Sequence, residues 1–151
     1  MGKTAFSLNL AAHMALREKR TVAYFSLEMG KEAVMMRLLA AESKVSMSEI
    51  RTGRIQDTSW PKLISAASQL SEAKLFIDDT SGISPYEIRA RCRRLKAQHG
   101  IDCIMIDYLQ LMDLKQKIES RERAVSEISK SLKVIAKELG IPVLALSLIH
   151  I

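Results

Sequence analysis

Two hydrophobic rhythms alternate along this chain. Short apolar runs of strand length, at 21–27, 74–79, 102–112 and 141–147, are separated by longer stretches where apolar residues recur every three or four positions. A continuous apolar run bounded by turns reads as a strand buried on both faces, as in a parallel sheet. The periodic stretches predict helices. The first starts at or just after Gly2, where Phe6, Leu10 and Met14, and again Leu8, Ala12 and Leu16, hold helical spacing. A second covers 31–42, with Val34, Leu38 and Leu39 as its apolar face and Met35 and Met36 as core filler. Residues 45–55 suit a short helix and turn, with Ser46 or Ser48 as cap and Gly53 as stop. A further helix runs from Asp57 to about Ala73, with Leu63, Ile64, Ala67 and Leu70 facing inward and Trp60 packed in the core or an interface.

Ser84-Pro-Tyr-Glu87 has the capping-box pattern with proline at the first helical position. It opens a helix over 85–99 on which Ile88, Cys92 and Leu95 share one face. Arg89, Arg91, Arg93, Arg94 and Lys96 read as a solvated basic face, with a nucleic-acid or subunit contact as the lesser alternative. The last helix runs from about Arg123 to Leu139, where Gly140 and Pro142 punctuate its end. Strands alternating with helices predict a parallel three-layer α/β fold.

Composition narrows this little. The chain has 151 residues, 48% hydrophobic and 26% charged, which suits one soluble globular domain. A net charge of +6 is compatible with a polyanionic partner without requiring one. Cys92 and Cys103 lie outside any metal-ligand spacing and read as free, buried thiols of a reducing compartment. No apolar run reaches membrane-spanning length and the first residues lack a signal-peptide core, so the expectation is a cytoplasmic protein with no membrane partner.

Chemistry enters at three places. Asp107 sits late in the run 102–112, and a carboxylate there is costly unless a cation or hydrogen-bond donors meet it. At the carboxyl end of a parallel strand it lies where open α/β sheets bind ligands, although a capped, solvated aspartate would also account for it. Gly2-Lys3-Thr4 opens a helix and matches the second half of a phosphate loop. There glycine turns backbone N–H groups onto phosphate, lysine reaches the outer phosphates and threonine binds Mg²⁺. A bare Gly-Lys-Thr is also common by chance. Glu28 ends the run 21–27 and points either into the ligand crevice or at the first turn of the next helix.

Taken in order, Gly2-Lys3-Thr4, Phe25-Ser-Leu-Glu-Met29, Arg51-Thr-Gly-Arg54, Phe76-Ile-Asp-Asp-Thr80, Ile106-Asp-Tyr-Leu-Gln-Leu-Met112, Val125-Ser-Glu-Ile-Ser-Lys-Ser-Leu-Lys133 and Pro142-Val-Leu-Ala-Leu-Ser147 closely resemble the RecA-like ATPase domain of DnaB-type replicative DNA helicases. The resemblance covers residues 2–147. It implies a RecA-like P-loop NTPase core, with Gly2, Lys3, Thr4 and Asp107 binding ATP. Lys3 would grip the β- and γ-phosphates, and Thr4 and Asp107 would hold Mg²⁺. Glu28 would be the general base, with Lys3 beside it in catalysis. It also implies a ring-shaped homo-hexamer on single-stranded DNA, with primase and a helicase loader as partners. The polar loop 113–123, carrying Lys115, Lys117, Arg121 and Arg123, is then the candidate contact with DNA or a neighbouring subunit.

The pattern departs from the family in places. The first glycine of the phosphate loop and its preceding strand are missing, as are the arginine-finger segment, a central-channel DNA loop and the N-terminal helical domain. Leu148 stands where the family has glutamine, and the tail 148–151 does not match it. The expectation is therefore a core over 1–147, truncated at both ends, from an internal fragment or truncated gene product that is not itself a working ATPase. Two function classes stay open: a DNA-translocating motor, or a RecA-like nucleotide- or DNA-binding module without unwinding.

Overall fold

In a computed structural model, which describes residues 2–113 and 120–147, the four apolar runs become β1 (Val22–Ser26), β2 (Leu75–Asp78), β3 (Cys103–Asp107) and β4 (Val143–Ala145). They form one sheet in the order β2-β1-β3-β4, every pairing parallel. The two outer strands are shorter than their apolar runs. Pro142 has no N–H to give, so it joins the ladder only through its carbonyl, which accepts from Ile104 N at 3.0 Å. The run 102–112 also divides: its strand ends at Asp107, and Leu109–Leu111 form a 3₁₀ turn.

Side chains of the central strands alternate between two cores, as the two-residue strand period requires. Val22, Tyr24, Cys103 and Met105 pack with Leu8 and Ala11 of α1 (Lys3–Ala12) and with Val34 and Leu38 of α2 (Lys31–Ser43). Ala23, Phe25, Ile104 and Ile106 pack on the opposite face with Ile88 and Cys92 of α5 (Pro85–His99) and with Ile128, Leu132 and Ile135 of α6 (Arg121–Leu139). The result is the expected three-layer arrangement. Truncating a residue as enclosed as Ile104 to alanine costs roughly 2–5 kcal/mol, so the sheet is a stiff platform for whatever stands at its ends. Both thiols are free and buried, and burial, with Asp78 adding to it, pushes Cys92 up to about 12.

Local chemistry sets the helix ends. Ser46 Oγ accepts from Glu49 N at the start of α3 (Met47–Thr52), which stops at Gly53 with φ 73°. Ser84 Oγ accepts from Glu87 N, as the capping pattern predicts, and its hydroxyl also donates to the Glu87 carboxylate. Ser120 Oγ accepts from Arg123 N, so α6 begins two residues earlier than its periodicity indicates.

The expected apolar faces need correcting in three helices. In α4 (Trp60–Glu72) only Leu63, Ala66 and Leu70 are buried, whereas Ile64 is 66% exposed and Ala67 is also exposed. This helix packs chiefly against α2, which leaves much of its surface open. Trp60 at its start is 48% exposed, and Met35 of α2 and Phe6 of α1 also face outward. Among the described residues no helix is long and apolar enough to cross a membrane.

Candidate functional site

Helix α1 begins beside the carboxyl end of β3, and this juxtaposition makes the site. Gly2 precedes the helix with φ 75°, a left-handed turn that glycine adopts without steric penalty, and its carbonyl accepts from Phe6 N at 2.9 Å. Thr4 then donates its hydroxyl to Asp107 Oδ2 at 2.6 Å. Asp107 is 1% exposed, and its other oxygen, Oδ1, is buried without a hydrogen-bond partner. The ammonium of Lys3 is likewise buried without a hydrogen-bond partner, 4.4 Å from the centroid of the Tyr108 ring. Leaving a buried polar group unpaired costs roughly 1–3 kcal/mol, and more for a charged one.

These orphaned groups fit a definite ligand. A hydroxyl and a carboxylate with a spare oxygen are hard donors suited to Mg²⁺, which is commonly held by one or two protein oxygens together with substrate phosphates. An unpaired ammonium next to a helix N-terminus suits phosphate.

Behind Thr4 lies a second layer that the sequence reading did not single out. Ser7 Oγ donates to the Thr4 carbonyl at 3.0 Å and lies 2.7 Å from the Tyr24 hydroxyl. Tyr24 is fully enclosed, and burial pushes its hydroxyl up to about 12, with the nearby Asp107 carboxylate contributing, so the phenol keeps its proton. Within a strand a tyrosine reads as core. The available signal was Ser7, three residues after Thr4 and hence on the same helix face. Tyr108, directly after Asp107, was the other residue passed over.

Glu28 leaves the sheet at the same level. Ser26 pairs with Asp107 in the ladder, and Leu27 N donates to the Asp107 carbonyl at 2.9 Å. Glu28 follows in a short turn closed by Ser26 Oγ donating to Met29 O at 2.8 Å. Its side chain is exposed and makes no hydrogen bond to Lys3, Thr4 or Asp107. The fold thus unites Lys3, Thr4 and Asp107 and leaves Glu28 at the rim. Its capping alternative is also unmet, because Lys31 N is bonded to Asp79 Oδ2 at 2.8 Å.

On the other side of Tyr108 a cavity of about 730 Å³ is lined by Gln110, Met112, Arg121, Val125 and Ser147. Gln110 Nε2 donates to Ser147 Oγ across it at 2.7 Å. Arg121 and Arg123 of the basic loop open α6, whereas Lys115, Lys117, Leu148 and the tail 148–151 lie outside the described residues.

Known proteins resemble this chain in sequence and fold. The family model for the DnaB-like helicase C-terminal domain matches residues 1–150. The chain is 49% identical over 148 residues to the replicative DNA helicase DnaC of Bacillus subtilis (strain 168) and 47% identical over 148 residues to the replicative DNA helicase DnaB of Geobacillus stearothermophilus. Each match covers 97% of this chain and 33% of the relative, so the chain spans about a third of the length of these relatives. Among solved structures, one of an isolated ATPase domain superposes with a TM-score of 0.91 at 35% identity, covering 97% of this chain and 52% of that one. A DnaB-like replicative helicase, solved to show its interactions with primase, also gives 0.91, at 36% identity over 97% of this chain and 36% of that one. With the family model matching nearly every residue and the fold superposing throughout, this chain belongs to the DnaB-like helicase C-terminal domain family.

Proposed function

We propose that this chain is the ATPase motor domain of a replicative DNA helicase, which binds ATP with Mg²⁺ at the α1–β3 junction and couples its hydrolysis to movement along single-stranded DNA and duplex unwinding. The observation that carries this reading is the Thr4–Asp107 hydrogen bond, flanked by the unpaired Asp107 Oδ1 and Lys3 Nζ. Lys3, with the N–H groups of the first turn of α1, offsets phosphate charge, and Gly2 lets the backbone approach it. Thr4 and Asp107 would supply oxygens for Mg²⁺, which would neutralise phosphate charge there. Glu28, at the rim of the site, takes the proton of the attacking water. Positioning and charge stabilisation therefore carry the reaction, with little covalent work left to the protein.

The working form in this reading is a cytoplasmic homo-hexamer around single-stranded DNA, with primase and a loader as partners. The identities of 49% and 47% to replicative helicases favour a motor over a RecA-like module without unwinding. The test is a parallel assay of ATP hydrolysis and forked-duplex unwinding on the full-length protein. DNA-stimulated hydrolysis with strand separation is expected; hydrolysis or nucleotide binding with no strand separation would support the non-unwinding module instead.

A further inference from the structure

A fully buried phenol stands directly behind Thr4 and Asp107, its hydroxyl bonded to the helix that carries Thr4. A buried tyrosine hydroxyl needs a hydrogen-bond partner, and Tyr24 finds it in Ser7, at 2.7 Å. Ser7 Oγ reaches both the Thr4 carbonyl, at 3.0 Å, and the Tyr24 hydroxyl, at 2.7 Å, and either hydroxyl can supply the proton that Ser7 and Tyr24 share. Thr4 gives its own to Asp107 Oδ2 at 2.6 Å. These bonds tie β1 to the first turn of α1 and that turn to the end of β3. Asp107 Oδ1 receives none. Were Tyr24 to turn its proton to Oδ1, Ser7 would donate to Tyr24 instead. The Thr4 carbonyl would then lose a partner, and the spare carboxylate oxygen would be blocked.

We infer that Tyr24 and Ser7 are positioning residues for the Mg²⁺ site: their hydroxyls fix the first turn of α1 against β1, so that Thr4 Oγ and an open Asp107 oxygen converge on one cation. The inference rests on the proposed ATP–Mg²⁺ reading and goes beyond it, because neither residue touches the ion or the nucleotide.

The experiment uses the full-length protein and its Tyr24→Phe, Ser7→Ala and double variants. Binding of a fluorescent, non-hydrolysable ATP analogue is titrated with Mg²⁺ and measured separately in EDTA, and circular dichroism melting confirms the fold. Tyr24→Phe removes one oxygen and keeps the ring that fills the core. Each single variant is expected to raise the Mg²⁺ concentration at half-saturation by about tenfold. Affinity in EDTA should stay within about twofold, and the double variant should be no worse than either single one, because the hydroxyls act as a unit. Two results would overturn the inference: unchanged Mg²⁺ half-saturation in both single variants, or equal weakening with and without Mg²⁺, which marks a purely structural role. A wild-type protein with no Mg²⁺-dependent nucleotide binding overturns the nucleotide reading itself, and this inference with it.

Discussion

Asp107→Asn should make the protein more stable when empty and less stable when loaded. The site holds a carboxylate that is 1% exposed, satisfied on one oxygen by Thr4 and unpaired on the other. Asparagine has the same shape and still accepts the Thr4 proton. That bond loses its charge assistance and the amide Nδ2 is buried in place of the unpaired oxygen, together costing about 2–3 kcal/mol. Against this, a buried charge that costs several kcal/mol to desolvate is removed. The balance favours the variant by about 1–2 kcal/mol, or roughly 3–6 °C in melting temperature for a domain of this size. Loading reverses the order. At a hundredfold excess over Kd, Mg²⁺ and nucleotide stabilise the wild type by about 2.7 kcal/mol, and a variant with a weakened site loses most of that increment. Thermal melts in EDTA, and with Mg²⁺ plus a non-hydrolysable ATP analogue, report both halves. A variant that melts lower in EDTA makes Asp107 a structural residue. An unchanged increment on loading would refute the metal role.

Other perturbations separate the remaining groups. Lys3→Ala should weaken nucleotide binding by about tenfold or more, since it deletes one charge-assisted phosphate contact; equilibrium binding with a fluorescent analogue reads this, and unchanged affinity removes Lys3 from the site. Glu28→Gln should bind ATP normally and melt within about 0.5 kcal/mol of wild type, because the side chain is exposed, yet turn over about a hundredfold more slowly. Intact turnover would contradict the general-base role. Replacing Lys115, Lys117, Arg121 and Arg123 with alanine should flatten the salt dependence of single-stranded DNA binding by up to about three units of slope, and no change in either that slope or ring assembly would exclude the loop as a contact. The Asp78 carboxyl is raised by partial burial, but the Thr80 N–H and hydroxyl together with Arg91 outweigh this and hold it below the usual carboxylate range. A depressed native pKa contributes stability that is present above about pH 4 and lost as pH falls through the native value. Arg91→Gln should therefore lose less stability than wild type between pH 5 and pH 3, measured by urea titration, and parallel profiles would show that the pair contributes nothing.

What was legible in the sequence is what depends on neighbours in sequence. β1 and β3 appear as apolar runs because both their faces are covered, and the caps at Ser46, Ser84 and Gly53 appear because each acts within one turn. Lys3, Thr4 and Asp107 were found by motif and by position at a strand end, and the fold brings them together. Features set by distant packing were not legible. Periodicity shows that α4 has an apolar face but not how much of it α2 covers, so Ile64 and Ala67 were placed inward. Tyr24 was hidden for the opposite reason: its ring belongs to the core, and only the three-dimensional approach of α1 shows that its hydroxyl belongs to the site.

The most direct test of the nucleotide site is a crystal structure of the full-length protein with Mn²⁺, as an anomalous-scattering substitute for Mg²⁺, and a non-hydrolysable ATP analogue. An anomalous peak is expected beside Thr4 Oγ and Asp107, with the Lys3 ammonium moved from the Tyr108 ring to the outer phosphates. A peak elsewhere, or a bound nucleotide with Lys3 still on the ring and no phosphate within its reach, would contradict the nucleotide reading.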